Sequence, residues 1–289
     1  MRVRREFGMV VGAWVCLAGL FAQISAAQTK LAVAQLDLHQ YEDGPVLAAG
    51  YEFLPGETAW LGCRMSGFKI QAKDEERFVK LSWELRVVDA EGILLEKPIT
   101  GRIDDLLQPE DKNWQPKFVN SFVVPSFATA GVYKIQVNVR DELASADTTR
   151  ALEFPVKAPA FRAADGLLVR NFRFLKEEDS AEALRPAVYH PGGMLWARFD
   201  IVGHKLGDGN KFDVSYGLAV LAADGRELFA QPDAAGEAKA SFYPQRWVPG
   251  VLSLSLDKNV PAGTYTLAVL VRDKLAGDKT EIREMFQVE

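Results

Sequence analysis

An internal repeat is the feature of this sequence that most constrains its fold. Three blocks of the first half recur in the second half in the same order. Nine of the fifteen positions in the last block are identical in the two copies. A repeat period of about 130 residues is too long for a solenoid, so the repeated unit is a whole domain. The aligned blocks are 31–69 with 167–205, 79–92 with 212–225, and 130–144 with 262–276.

Apolar and polar residues alternate within these blocks. Every second residue from Tyr133 to Val139 is apolar, and the copy beginning at Tyr265 keeps the same phase. Such alternation predicts strands with one buried face. Turn residues separate the patterns, so each repeat is expected to hold about seven strands, which is typical of a β-sandwich. Residues 141–148 and 233–240 are expected to form short helical turns between strands.

The strand that opens the last block carries a family resemblance. The Gly-x-Tyr sequences ending at Tyr133 and Tyr265 resemble the penultimate strand of immunoglobulin-like domains, where the tyrosine forms a tyrosine corner. Trp83 lies on the apolar phase of a middle strand, like the core tryptophan of that fold. Ile135 and Leu267 stand where antibody-type domains carry a disulfide cysteine. The resemblance is therefore to disulfide-free bacterial immunoglobulin-like or fibronectin-like modules, and it implies an all-β chain of two tandem antiparallel β-sandwiches.

The N-terminus has the pattern of a secretory signal peptide. Three arginines among the first five residues precede an apolar run over 7–22 and the small residues Ser25-Ala26-Ala27. A membrane anchor is the alternative, but the run is short for a span of about 20 residues. We therefore expect cleavage after Ala27 and a periplasmic or secreted location. The expected organisation is signal peptide 1–27, first sandwich 28–157, linker 158–165 and second sandwich 166–289.

The expected mature chain has to fold without an intramolecular disulfide. Removing 27 residues leaves 262 residues, changes the formal net charge from −5 to −7, and leaves Cys63 as the single cysteine. A chain of this length can bury a sizeable apolar core. Its acidic balance disfavours binding to the phosphate backbone of nucleic acids. We expect no nucleic acid partner, no cofactor and no membrane span after cleavage.

The residues that could carry chemistry favour structural roles. His39, His190 and His204 lack the spacing of known catalytic or metal motifs and are interpreted as solvated loop histidines. Cys63 lies on an inward strand phase and is interpreted as a buried apolar residue. We therefore predict no catalytic and no metal-binding residue. Three acidic clusters could offer oxygen ligands to calcium, but solvated turns are the favoured reading: 74–76, 177–179 and 208–213.

Features that recur in both repeats are interpreted as framework. Asp141 and Asp273 recur in Arg-Asp-x-Leu-Ala at a strand end, where an aspartate accepts backbone N–H groups in a turn. Trp60 and Trp196 recur on the phase opposite to the apolar residues of their strand. A carbohydrate-stacking platform or a protein-binding hot spot is one interpretation of these tryptophans. We favour the other, a cap on the sandwich edge, because a framework recurs more readily than a binding site.

Aromatic segments that do not recur are better candidates for recognition. Residues 114–118 and 242–247 combine aromatic and basic side chains, the composition of a recognition patch. Packing of these segments against their own chain is the alternative. The predicted partner-binding residues are Trp114, Phe118, Tyr243, Arg246 and Trp247.

These features favour an exported binding or structural protein that recognises a protein or a surface polymer. We do not expect an enzyme. The alternative function is that of a protease inhibitor or a periplasmic chaperone, because single sandwich domains with Gly-x-Tyr strands also serve as inhibitors. A hydrolase would require a polar triad in a cleft, which the sequence does not indicate.

Overall fold

The computed structural model describes residues 30–73, 76–108, 110–111, 113–159 and 161–289. The predicted signal peptide, 1–27, lies outside these residues, and so do Asp74 and Glu75 of the first acidic cluster. The described chain is all-β apart from a short 3₁₀ turn at Asp208–Asn210, which confirms the predicted fold class at this level. Within the described ranges, no helix has the length and apolar character needed to cross a membrane.

Among its described residues, the first half contains eight strands in two sheets. One sheet has the order β1-β2-β6, and the other has the order β3-β4-β7-β8 with β5 paired to β4. All pairings of these strands are antiparallel. The strands are β1 Ala32–His39, β2 Thr58–Ser66, β3 Gln71–Lys73, β4 Glu76–Val88, β5 Ile99–Leu107, β6 Lys117–Val123, β7 Gly131–Asp141 and β8 Ala146–Val156.

The second half repeats this arrangement. The order β9-β11-β14 corresponds to β1-β2-β6, and the order β10-β16-β15-β12-β13 places β12, β13, β15 and β16 where the first half has β4, β5, β7 and β8. The short β10 pairs in parallel with β16, and the other pairings are antiparallel. The strands are β9 Leu168–Leu175, β10 Val188–Tyr189, β11 Met194–Val202, β12 Phe212–Leu221, β13 Glu227–Lys239, β14 Trp247–Ser255, β15 Gly263–Asp273 and β16 Lys279–Val288.

Each half encloses its own apolar core between its two sheets. Leu61 and Ile135 lie in the first core, while Phe199 and Phe286 lie in the second. The inward residues are those that the alternation predicts, since β7 is buried at every second position. Tyr243 is an exception to the separation of the two cores, because it belongs to the second half but packs into the first core.

The helical turn expected at 233–240 is wrong. Residues up to Lys239 belong to β13, which pairs with β12 on both sides of a register shift between Gln231 and Ala235. Alanine is a strong helix former, but the backbone hydrogen bonds offered by β12 outweigh this local propensity. The turn expected at 141–148 is shorter than predicted, because β7 ends at Asp141 and β8 begins at Ala146.

Both halves contain the hydrogen bond that defines a tyrosine corner. The hydroxyl of Tyr133 donates to the carbonyl of Thr129 at 2.8 Å, and the hydroxyl of Tyr265 donates to the carbonyl of Pro261 at 2.7 Å. In each case the acceptor lies four residues before the tyrosine. The bond fixes the loop that enters the strand, β7 or β15, at the same position in both repeats.

The recurring aspartates bind equivalent backbone groups. Oδ1 of Asp141 accepts the N–H groups of Leu143 and Ala144, and Oδ2 accepts that of Lys69 at 2.6 Å. Asp273 does the same with Leu275, Ala276 and Lys205, the last at 2.7 Å. The two side chains are 1% and 2% exposed. Each aspartate therefore ties a hairpin to the segment that follows β2 in the first half or β11 in the second.

The three framework tryptophans are all half-buried. Trp60 lies on β2, and Trp196 lies on the corresponding strand, β11. Trp83 stacks on Phe118, with ring centroids 3.9 Å apart and an interplanar angle of 6°. A Cβ at Gly101, which pairs with Trp83 across β4 and β5, would approach the indole to 2.3 Å. A glycine at this position therefore gives the indole its space.

Candidate functional site: a cleft between the connector and the second half

Two of the predicted partner-binding residues pack within the first half. Phe118 is 8% exposed and belongs to the first core, where Trp83 stacks on it. Trp114 is half-buried and makes an edge-to-face contact with Phe68, with centroids 6.0 Å apart. Phe118 therefore contributes mainly to packing, and Trp114 keeps part of its surface open.

Tyr243 and Arg246 join the second half to the first. The hydroxyl of Tyr243 donates to Oδ2 of Asp89 at 2.9 Å, and the tyrosine is 7% exposed. Arg246 donates to both carboxylate oxygens of Glu91, at 2.5 and 2.9 Å, and contacts Asp89 at 3.5 Å. We call Asp89, Glu91, Tyr243 and Arg246 the junction cluster. Bidentate bonds between arginine and a carboxylate fix orientation as well as distance.

Asp89 is the centre of the junction cluster. It is 3% exposed, and its Oδ1 accepts the N–H groups of Glu91 and Ile93 at 2.9 and 2.8 Å. These bonds hold the turn after β4, while its Oδ2 binds the second half. Ala222 occupies the corresponding position of the second repeat. The aspartate therefore belongs to the contact between the halves and not to the common framework.

Burial and hydrogen bonding shift the titration of two residues in the cluster. Burial raises the pKa of the Tyr243 phenol, and its interactions with Tyr133 and Asp89 raise it further. Burial alone would lower the pKa of Arg246, but the hydrogen bond and charge of Glu91 reverse this and raise it. Both side chains therefore keep the protonation state that their bonds to the carboxylates require.

Trp247 stands between aromatic residues of the first half and of the connector. Its indole contacts Phe127 edge to face, with ring centroids 5.3 Å apart. It also stacks near Phe161, with ring centroids 5.6 Å apart and an interplanar angle of 28°. The guanidinium of Arg246 lies 6.0 Å from the Phe161 ring centroid. These contacts fix the orientation of Trp247, which stays half-buried beside a cleft.

The cleft lies between the connector and the outer face of the sheet β9-β11-β14. Its volume is about 620 Å³, within the range of roughly 300–1,000 Å³ that is usual for ligand sites. Aromatic, basic and polar side chains converge on it from three strands and from the connector. The lining residues are Pro159, Phe161, Arg162, Arg170, Asn171, Asp200, Val202 and Trp247. Trp247 is the one predicted partner-binding residue among them.

A β-bulge in β9 shapes the floor of this cleft. Arg198 pairs with Arg173 and Asp200 pairs with Arg170, so β9 contains one more residue than β11 at this point. Asn171 lies in the bulge with a φ of 51°. Successive residues of a regular strand point to opposite faces. The bulge lets Arg170 and Asn171 line the same cleft, a role that bulges often have at functional sites.

Hydrogen bonds hold the polar side chains of the cleft in place. Nδ2 of Asn171 donates to Oδ2 of Asp200 at 2.7 Å. Arg170 donates to the carbonyl of Arg162 at 2.5 Å and to that of Ala163 at 3.3 Å, which fastens the connector to β9. In the described part of the chain, neither Arg162 nor Arg170 forms an ion pair with a carboxylate. The cleft therefore carries two guanidinium groups and one carboxylate.

The polar residues of the cleft are not part of the repeated framework. At the offset of 136 positions, the first half has Ala34, Gln35 and Arg64 where the second half has Arg170, Asn171 and Asp200. The bulge itself recurs, since β1 has a register shift between Val33 and Gln35. The two repeats therefore share the backbone feature, while the second half alone places this polar set on it.

The three histidines bind backbone carbonyls. His39 contacts the carbonyl oxygen of Gly44 at 2.7 Å, and His190 contacts that of Glu289 at 2.8 Å. His204 contacts the carbonyl oxygen of Gln245 at 3.0 Å, and burial lowers its pKa; it is 8% exposed, so the prediction of a solvated histidine is wrong for this residue. Among the described residues, no group of three or more His, Cys, Asp or Glu side chains is arranged to hold a metal ion.

Cys63 is fully buried in the first core. Its exposed fraction is 0%, and burial raises the pKa of its thiol to about 12. A thiol that stays protonated is a poor nucleophile. Its place on β2 agrees with the interpretation of an inert core residue.

Sequence reasoning missed most residues of the cleft and the centre of the junction cluster. The sequence does contain a signal for some of them, since the two repeats carry different residues at these aligned positions. Asp89 aligns with Ala222, and Arg170 aligns with Ala34. Where one repeat has a small residue and the other has a charged residue at the same position, the shared fold does not require the charge. The missed residues are Asp89, Glu91, Phe161, Arg162, Arg170, Asn171 and Asp200.

Comparison with known proteins adds little to this description. No protein family and no curated protein matches the chain. One similar solved structure is the C-terminal domain of the Streptococcus pyogenes antigen I/II-family protein AspA, with 9% identity and a TM-score of 0.29, covering 91% of this chain and 99% of that one. Another is the Pseudomonas fluorescens alkylpurine DNA glycosylase AlkC bound to DNA containing an abasic site analog, with 13% identity and a TM-score of 0.29, covering 45% of this chain and 31% of that one. These scores are too low to assign a family.

Proposed function

We propose that this chain is an exported, non-enzymatic binding protein built from two tandem immunoglobulin-like or fibronectin-like β-sandwiches. Its partner, a protein or a surface polymer, would bind in the cleft between the connector and the second half. The two pairs of sheets, the two separate cores and the two tyrosine corners support the tandem arrangement. The sandwiches would extend over 28–157 and 166–289.

One observation carries the choice of the cleft as the binding site. Arg170, Asn171 and Asp200 lie on a bulge and a strand that both repeats share, yet their counterparts are different residues. Framework positions such as Asp141 and Asp273 keep both their identity and their contacts. A polar set that departs from the framework and converges on a cavity has the character of a binding site.

The contacts of the titratable groups support a role without catalysis. The three histidines bind backbone carbonyls, and Cys63 is enclosed in the first core. Asp141 and Asp273 use their carboxylate oxygens on backbone N–H groups. The signal-peptide pattern of the first 27 residues supports export to the periplasm or beyond.

A charge reversal in the cleft tests this proposal. Arg162→Glu removes a cation from the exposed rim, and Arg64→Glu makes the same change on the exposed face of the first half. Immobilised protein is incubated with an extract of the producing cell's envelope, and the retained polysaccharide and protein are quantified separately. We expect the wild type and Arg64→Glu to retain material, and Arg162→Glu to lose it. Equal retention by both variants contradicts the proposed site.

The exposed edge of β13 favours a second candidate function, that of a chaperone-like or inhibitor-like protein. This strand of 13 residues pairs with β12 on one side, and most of its residues are exposed. A free strand edge can accept an extended segment of another chain. An assay of secreted proteases and of aggregation of an unfolded envelope protein, with and without this chain, distinguishes this candidate from binding in the cleft.

A further inference from the structure

From the chemistry of the cleft we infer that its ligand is a saccharide that carries carboxylate groups. The inference rests on the proposed function, because it names the chemical class of the polymer that the cleft would bind. Three features of the cleft support it: an aromatic wall, an excess of positive charge, and a pair of planar polar side chains.

The aromatic wall consists of Trp247 and Phe161. Both are half-buried; Trp247 stacks near Phe161, with ring centroids 5.6 Å apart, and contacts Phe127 edge to face. Aromatic rings offer a flat apolar face with a negative quadrupole, which attracts the polarised C–H groups on one face of a sugar ring. Because these contacts already fix the indole, little side-chain entropy is lost when a ligand contacts the part of this wall that faces the cleft.

The charge of the cleft favours an anionic ligand. The guanidinium groups of Arg162 and Arg170 line it, whereas Asp200 is its single carboxylate. Arginine binds carboxylates through two parallel N–H donors, which specifies both the charge and the plane of the ligand group. Arg170 is also fastened to the connector, so its charge is held at the cleft before a ligand arrives.

Asn171 and Asp200 match the hydroxyl groups of a sugar. Their hydrogen bond of 2.7 Å leaves the amide oxygen, one amide hydrogen and further carboxylate lone pairs for a ligand. A hydroxyl both donates and accepts, so adjacent hydroxyls can bridge an amide and a carboxylate. The bond to Asn171 also reduces the repulsion that Asp200 would exert on an anionic ligand.

An extended acidic peptide fits this cleft less well. A peptide that adds to a sheet requires an uninterrupted strand edge, and the bulge at Asn171 interrupts β9 at the cleft. A saccharide does not need an uninterrupted strand edge, because side chains alone can bind it. The volume of about 620 Å³ suits a short oligosaccharide, not one small ion.

Calorimetric titration of the full chain with three matched probes tests the inference. The probes are a mixture of oligouronates built from galacturonate, mannuronate and glucuronate, the neutral trisaccharide maltotriose, and triglutamate as an acidic peptide. We expect the oligouronates to bind at least tenfold more tightly than either of the other probes. Arg162→Gln should weaken oligouronate binding at least tenfold, while Arg64→Gln should leave it unchanged.

Each contrary outcome overturns a defined part of the reasoning. Absence of oligouronate binding, or equal binding of maltotriose, overturns the ligand class. Equal or tighter binding of triglutamate assigns the cleft to acidic peptides instead. If envelope material is still retained and Arg162→Glu abolishes that retention, the proposed function stands although the saccharide inference fails. If Arg162→Gln and Arg64→Gln weaken oligouronate binding equally, the saccharide does not bind in the cleft.

Discussion

Removing one hydroxyl group from the junction cluster tests whether the two halves are fastened as the structure describes. Tyr243→Phe keeps the ring in the first core and deletes the donor to Oδ2 of Asp89. Hydrogen bonds to charged groups contribute about 1.5–3 kcal/mol to stability. Asp89 retains two backbone donors and the contact with Arg246, so it is not left without partners. We therefore expect the unfolding free energy to fall by about 2 kcal/mol.

Urea denaturation, followed by tryptophan fluorescence and by circular dichroism, measures this change. Tyr51→Phe is the matched control, because Tyr51 also donates to a carboxylate, that of Glu57 at 3.2 Å, but on the exposed surface. We expect this control to change stability by less than about 0.5 kcal/mol, as is usual for surface substitutions. If Tyr243→Phe is as mild as the control, the hydroxyl does not bind Asp89 in solution and the reasoning about the junction fails.

Three further predictions concern the framework and its titratable groups. Asp141→Ala and Asp273→Ala should each lower the unfolding free energy by a similar amount, about 2–4 kcal/mol, because each leaves three backbone N–H groups without an acceptor; urea denaturation measures both. Stability should fall as pH rises from about 9 toward 12, because the pKa of the Cys63 thiol is 9.0 in the unfolded chain and about 12 in the folded chain; Cys63→Ala should make this fall less steep. Stability should also decrease as pH drops below 6.5, because burial lowers the pKa of His204 and the unfolded chain therefore binds the proton first; His204→Gln should reduce that slope.

Each of these predictions has a clear contrary result. Unequal losses at Asp141 and Asp273 would show that the two turns are not equivalent. A Cys63→Ala variant with the same alkaline profile as the wild type would place the thiol in a more polar environment than the structure shows. Tyr189 also has its pKa raised by burial, to about 12, so part of the alkaline fall should remain in that variant. An unchanged acid profile in His204→Gln would indicate that the folded protein binds the proton as readily as the unfolded chain.

Local features of the fold were readable from the sequence because they depend on short-range chemistry. The alternation of apolar and polar residues starting at Tyr133 indicates which face of β7 is buried, and the sequence Arg-Asp-x-Leu-Ala indicates a turn closed by an aspartate. The error at 233–240 arose because alanine-rich sequence favours a helix locally. Pairing with β12 decided the outcome, and pairing is not visible in a propensity.

The functional region was only partly predictable because it depends on contacts between distant segments. Tyr243 and Arg246 have the composition of a recognition patch, but the sequence does not indicate that the turn after β4 faces them. Arg170 and Asp200 are 30 positions apart and become neighbours only through the pairing of β9 with β11. Trp247 could be identified from the sequence because it belongs to an aromatic segment that does not recur in the other repeat.

The most direct test of the central claim is a nuclear magnetic resonance titration of the indole N–H groups with oligouronates. Five tryptophans lie in the described residues, and a Trp→Phe variant of each assigns its signal. We expect the Trp247 signal to shift on addition of the ligand while the signals of Trp60 and Trp196 stay in place. Unchanged Trp247 with shifts at Trp60 or Trp196 would place binding on the repeated framework and contradict the assignment of the cleft. The five residues are Trp60, Trp83, Trp114, Trp196 and Trp247.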